Sequence, residues 1–117
     1  MARLDSSVLA LDAARETGEI AERLRELVLR DLRKRGVVVA VSGGVDSSVC
    51  LALAVQAFGP QKVLALLLPE RESSSSSLTL GRAVTEQLGV KTIVHELTAA
   101  LEGLGAYQAR DQAIRQL

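Results

Sequence analysis

Five small apolar residues, Val37 to Val41, run directly into Ser42-Gly43-Gly44-Val45-Asp46-Ser47. Four of the five are β-branched, which favours an extended backbone. The run lacks polar alternation, so it predicts a strand buried on both faces, as in a parallel sheet covered by helices. Two glycines then allow the chain to turn tightly. From Ser48 to Phe58 the residues are apolar almost all round, with Gln56 the clear exception, which predicts a well-buried helix. Gly59-Pro60 ends it.

The remaining segments extend this alternation. Asp5 to Arg15 reads as a short amphipathic helix with Leu9, Ala10 and Ala13 near one face. Glu19 to Arg35 reads as a longer one, with Ile20, Leu24, Leu27, Val28 and Leu32 at three- and four-residue steps. Arg30, Arg33, Lys34 and Arg35 gather in its last turns, and Gly36 reads as its stop. Lys62 to Leu68 is a second strand ending at Pro69, followed by polar, serine-rich Glu70 to Ser77. Leu78 to Leu88 is a helix stopped by Gly89, and Val90 to Leu97 is a third strand. Thr98 to Leu117 is helical in composition, divided by Gly103 and Gly105. Strands alternating with helices predict an α/β fold with a parallel sheet. Right-handed crossovers are expected to put helices on both faces.

Composition narrows the function. With 14 basic and 14 acidic residues the formal net charge is zero, which argues against a polyanion-binding surface and hence against nucleic acid. One cysteine, Cys50, and one histidine, His95, provide neither an internal disulfide nor a Cys/His zinc site. No stretch reads as a targeting or membrane segment. The expectation is a cytoplasmic, reduced setting.

The segment Ser42–Ser47 is expected at the C-terminal end of a strand and the start of a helix, where open α/β sheets bind ligands. Free amides at a helix start suit a phosphate group. Ser42, Ser47 and Ser48 add hydroxyls. Asp46 would repel phosphate, yet a carboxylate there makes sense if it holds Mg²⁺, which takes one or two carboxylates plus phosphate oxygens. No Lys follows the glycines, so this is not the Gly-x-x-x-x-Gly-Lys-Ser/Thr loop, and it is not Gly-x-Gly-x-x-Gly. The plain alternative is a Gly-Gly turn with Asp46 or Ser47 as an ordinary helix N-cap.

Ser42 to Ser47 resembles the Ser-Gly-Gly-x-Asp-Ser loop of the ATP pyrophosphatases, which adenylate a substrate and release pyrophosphate. A second stretch resembles the NAD synthases within that superfamily. It comprises Leu68-Pro69-Glu70-Arg71-Glu72-Ser73-Ser74 and a helix ending Glu86-Gln87-Leu88-Gly89-Val90. The likeness runs from about Gly36 to Leu97. It implies a doubly wound, Rossmann-like parallel sheet of the adenine-nucleotide α-hydrolase type, with about three strands here. Residues 1–117 then form a single nucleotide-binding domain, cut short on its C-terminal side. It implies ATP as substrate with Mg²⁺, deamido-NAD and ammonia as further substrates, and NAD, AMP and pyrophosphate as products. A homodimer, or a partner that supplies ammonia, is also implied.

By the same resemblance, Ser42, Gly43, Gly44, Val45, Asp46 and Ser47 match the phosphate loop, and Asp46 the Mg²⁺-binding aspartate. Ala40 and Val41 lie where the first strand nears the adenosine, and Leu68 where the second borders the adenine. Ala40 replaces a glycine frequent there in the family. Arg71 would reach ATP phosphates from its loop, over which Ser73 to Ser77 is either a lid or a plain linker. Tyr107 to Arg115 does not match the family's arginine-rich helix. The loop alone leaves open another ATP pyrophosphatase, such as a tRNA-modifying enzyme, or a non-catalytic ATP-binding module. Cys50 is expected inside the buried helix as a small apolar residue, and His95 as a satisfied or surface histidine.

Overall fold

The computed structural model describes residues 10–116. The first helix expected, Asp5 to Arg15, lies partly outside them. Its described part is not a separate helix: residues 10–12 are irregular, and Asp12 caps the helix that follows by accepting from the amide of Arg15 at 3.1 Å. That helix, α1, spans Ala13–Arg25 and continues into a π-helical turn, Glu26–Asp31. It stops short of Gly36 because Arg33 takes a left-handed conformation (φ 53°) while the amide of Lys34 bonds back to Val28. Gly36 serves instead for close approach: a Cβ there would lie 2.3 Å from the carbonyl oxygen of Lys62.

Three strands follow: β1 (Val37–Ala40), β2 (Val63–Leu67) and β3 (Lys91–Val94). All are parallel, in the order β1-β2-β3. Helix α2 (Val45–Phe58) crosses from β1 to β2, and α3 (Ser75–Gln87) from β2 to β3. Two further helices close the described chain, α4 (Thr98–Gly103) and α5 (Ala106–Arg115), joined through a left-handed Gly105. The parallel α/β class and the three strands agree with the sequence expectation.

The core lies on one face of the sheet. Val41, Val63, Ala65 and Leu67 pack there with Leu51 and Ala54 of α2 and with Val90, joined by the partly buried Leu78, Val84 and Leu88. Both crossovers run in the same direction across the strands, so their helices fall on the same side. Helix α1 forms an outer layer on α2, where the Arg25 side chain donates to the carbonyl of Ala57 at 2.8 Å.

The opposite face departs from the expectation of a sheet buried on both sides. Register sets Val38 beside Leu64 and Lys91, and Ala40 beside Leu66 and Ile93. Val38 is 59% exposed and Ile93 44%. Among the described residues no helix lies over them, so β1 alternates in burial although its residues do not alternate in type. Helix α2 is likewise less buried than expected. Leu51, Ala54 and Ala57 are buried, while Val49 is exposed and so is Cys50, contrary to its expected place inside. Both apolar residues lie off the stripe that meets the sheet. Among the described residues, no helix is long and apolar enough to cross a membrane.

Candidate functional site

The glycine turn occupies the C-terminal end of β1. The amide of Val41 donates to Leu66 at 2.8 Å, extending the ladder one residue beyond the strand. The chain then turns through Gly43 at φ 83°, a conformation that only glycine adopts without strain. Space demands glycine there too, since a Cβ would lie 2.4 Å from the carbonyl oxygen of Ser77 in the first turn of α3.

Helix α2 begins directly after Gly44, and no side chain caps it. Neither Asp46 nor Ser47 is the N-cap, so the plain reading of a capped turn does not hold. The amides of Val45, Asp46 and Ser47 form an open first turn, with no preceding carbonyl to accept them. The Ser47 hydroxyl is turned back into the loop. It accepts from the amide of Ser42 at 3.1 Å and donates to the carbonyl of Gly44 at 3.2 Å. The Ser42 hydroxyl lies 3.1 Å from that of Ser47 and accepts from the amide of Gly44 at 3.3 Å. Ser48 donates to the same Gly44 carbonyl at 2.8 Å. The serines therefore hold the loop in shape, and the backbone amides are the groups left to meet an anion.

Beside the turn lies a cavity of about 150 Å³. Val41 and Ser42 form one wall, Leu67, Leu68 and Pro69 a second, and Ser73, Ser77 and Leu78 the third. Of the residues singled out in the sequence, Val41, Ser42 and Leu68 meet at this cavity, and Gly43, Gly44, Val45, Asp46 and Ser47 adjoin it in the turn. Ala40 lies on the open face of the sheet, outside the cavity lining. Arg71 is also outside it, because it is engaged elsewhere: its guanidinium bonds Glu102 at 3.0 Å and stacks 3.6 Å above the Tyr107 ring. Ser73 to Ser77 is only partly a loop. Ser74 caps α3 by accepting from the amide of Ser77, and the last three serines are helical. Pro69 and Leu78 join the site without having been singled out as ligand-facing, and Ser73 and Ser77, weighed as lid or linker, line its wall. The contact of Gly43 with Ser77 spans the sheet edge, and no local pattern announces it.

The Asp46 carboxylate is exposed and makes no hydrogen bond or ion pair among the described residues. Nor do three metal-binding side chains cluster anywhere among them. A lone free carboxylate beside an anion cradle fits Mg²⁺ of the kind completed by phosphate oxygens and water, and does not fit a site built from protein ligands alone. His95 is exposed, and its amide continues the β2–β3 ladder by donating to Leu67 at 2.9 Å.

Comparison with known proteins agrees with this geometry. The family model described as NAD synthase matches residues 17–116. An NH(3)-dependent NAD(+) synthetase of Mesorhizobium japonicum is 52% identical over 108 residues, covering 92% of this chain and 34% of that protein. The chain thus spans about a third of the length of the curated relatives it matches. Among solved structures, the NH3-dependent NAD synthetase of Campylobacter jejuni, in complex with nitrate, superposes with a TM-score of 0.75. It is 24% identical, with 84% of this chain and 42% of that one covered, and it shares the Rossmann-like fold. The glutamine-dependent NAD+ synthetase of Acinetobacter baumannii, in complex with ADP, gives a TM-score of 0.65 at 26% identity. There the match covers 92% of this chain and 20% of that one. The chain belongs to the NAD synthase family.

Proposed function

We propose that this member of the NAD synthase family binds ATP through the Ser42–Ser47 turn and serves an ammonia-dependent synthesis of NAD from deamido-NAD. The observation that carries the proposal is the open first turn of α2, with its uncapped amides beside an apolar cavity at the sheet's C-terminal edge. Uncapped amides at a helix start favour a polyphosphate, and the apolar walls of Val41 and Leu68 favour a flat base. Relatives named for ammonia dependence support ammonia as the nitrogen source.

In the proposed reaction the nicotinate carboxylate of deamido-NAD attacks the α-phosphorus of ATP. The bond to the β-phosphate oxygen breaks, and pyrophosphate leaves with its electron pair. Ammonia then attacks the acyl carbon, AMP departs and a proton is released, giving the amide. Negative charge grows on the pyrophosphate, and the amides of the turn are already oriented to receive it, so little reorganisation is needed. Asp46 would hold Mg²⁺, whose charge further stabilises the leaving group when bound. Ser42 and Ser47 act on the shape of the turn, and a carboxylate nucleophile needs no general base. Ala40 and Arg71 stand outside this cluster and are left out of the proposed site. A homodimer and a partner that delivers ammonia belong to the same reading, and sedimentation velocity tests the first.

Calorimetry with MgATP tests the site. Binding is expected that weakens on removing Mg²⁺ and in Asp46→Ala, followed by pyrophosphate release once deamido-NAD and ammonia are added. Binding without release would identify a non-catalytic ATP-binding module. Absence of MgATP binding by a chain shown to be folded would end the proposal for these residues.

A further inference from the structure

The loop after β2 is tied to the last two helices by one cluster of side chains. Tyr107 of α5 is 7% exposed, and its hydroxyl donates to the Glu70 carboxylate at 2.5 Å. The second oxygen of Glu70 accepts from the amide of Glu72 at 3.1 Å. The amide of Glu70 donates to the Ser73 hydroxyl at 3.0 Å, and the amide of Ser73 donates back to the Glu70 carbonyl at 2.9 Å. Glu70 to Ser73 is therefore a closed turn whose first carboxylate accepts from a tyrosine 37 residues away. Arg71 covers the ring of that tyrosine and reaches Glu102 of α4, while Arg110 of α5 pairs with Glu72. The amide of Leu97 holds the carbonyl of Pro69 at 2.9 Å.

Two features set this cluster apart from an ordinary surface network. First, Pro69 and Ser73, at the two ends of the fastened segment, line the cavity beside the glycine turn. Second, no residue of α4 or α5 belongs to the core cluster under the sheet. The side-chain bonds that these helices make toward the cavity, from Tyr107, Glu102 and Arg110, all end on the loop. The charges agree with that direction. The Tyr107 hydroxyl, the adjacent Glu72 amide and the nearby guanidinium groups of Arg71 and Arg110 hold Glu70 below the ordinary carboxylate range. Burial, and then acceptance by Glu70, push the Tyr107 phenol above its own. Donor and acceptor thus keep their protonation states across neutral pH.

We propose that Tyr107 is a positioning residue for the nucleotide cavity: its hydroxyl on Glu70 fixes the Pro69–Ser73 segment, whose two ends line the cavity next to Leu68. The proposal rests on the ATP reading above. It predicts a split between the two ends of the ligand, because the fastened segment borders the cavity and the glycine turn is held by its own serines.

The test compares the wild-type chain with Tyr107→Phe, which keeps the ring under Arg71 and removes only the hydroxyl. Without nucleotide, the amides of Glu72 and Ser73 should exchange about three- to tenfold faster in the variant, the scale of one lost hydrogen bond. MgATP affinity should fall by a similar factor, and affinity for inorganic tripolyphosphate should not change. Glu70→Gln, which keeps an acceptor for the phenol, should stay closer to wild type than Tyr107→Phe. Equal losses for ATP and tripolyphosphate would make Tyr107 a general structural residue and overturn the proposal. Unchanged exchange at Glu72 and Ser73 would overturn it as well. A wild-type chain that binds neither ligand would remove the ATP reading and the nucleotide role of Tyr107 with it. The exchange comparison would then still decide whether the hydroxyl fixes the loop.

Discussion

Replacing Gly43 by alanine separates what the glycine turn needs from backbone freedom and what it needs from space. Gly43 and Gly59 have nearly the same positive φ, 83° and 79°. An added Cβ at Gly59 meets nothing within 4 Å, whereas at Gly43 it lies 2.4 Å from the Ser77 carbonyl oxygen and 3.2 Å from Leu80 Cβ. A side chain is strained at either positive φ, with ψ at 154° in the case of Gly59, and that strain costs about 1–3 kcal/mol in both substitutions. Alanine also narrows the unfolded ensemble by a few tenths to about 1 kcal/mol, and this too is common to both. Crowding is particular to Gly43. Its obstacle is backbone at the start of α3, which cannot rotate aside, so overpacking should add about 1–3 kcal/mol. Urea unfolding followed by circular dichroism measures the difference directly. With a slope of about 1–1.5 kcal/mol per molar for a small domain, Gly43→Ala should unfold about 1 M or more below Gly59→Ala. Coincident midpoints would mean that α3 does not rest on the turn, and the account of how the turn is backed would fail.

Two other expectations follow from burial and charge. The same substitution should divide the two faces of the sheet: Val38→Thr, at 59% exposure, should change stability by less than about 0.5 kcal/mol. Val63→Thr, at 3% exposure, should cost about 1–3 kcal/mol for the buried hydroxyl. Similar losses at both positions would show the open face to be covered. The pair of Tyr107 and Glu70 should leave a signature in pH. A carboxylate lowered on folding contributes stability above its unfolded value of about 4.3, and that contribution is lost as pH falls through the folded value. A phenol raised on folding contributes below its unfolded value of about 10 and loses that contribution as pH rises through the folded value. The stability gap between wild type and Tyr107→Phe should therefore be widest between about pH 5 and 9 and narrow on both sides. A gap independent of pH would sink this reading of the pair.

Strand and helix order was legible because it is written in local terms. Valine runs, glycine stops and three- to four-residue apolar steps each fall within a dozen residues. Which face of a strand is covered is not a local property. Val38 and Val39 are the same residue, yet one is exposed and the other packs against the core. The difference comes from both crossover helices lying on one side. Gly36 shows the same limit. It stands where a helix stop is expected, but Arg33 turns the chain earlier and Gly36 answers to the carbonyl of Lys62. The link between Tyr107 and Glu70 joins residues 37 apart, and neither has a pattern that names the other.

The glycine turn was legible in place but not in the division of labour within it. Read as side chains, Ser42 and Ser47 are hydroxyl donors for phosphate. In the folded turn, the Ser47 hydroxyl spans Ser42 and Gly44, and the Ser42 hydroxyl accepts from the amide of Gly44. What the six residues specify together is a backbone path: a left-handed glycine under α3, a second glycine with no side chain over the helix start, and serines that brace the turn from within. The open amides of Val45, Asp46 and Ser47 follow from that path and not from their side chains. Val45, at 74% exposure, fits among the motif residues because the proposed site asks only for its amide. A substitution at Val45 that keeps helical geometry should leave the proposed phosphate site intact, whereas one at Gly43 should weaken MgATP binding without removing any group assigned to the ligand.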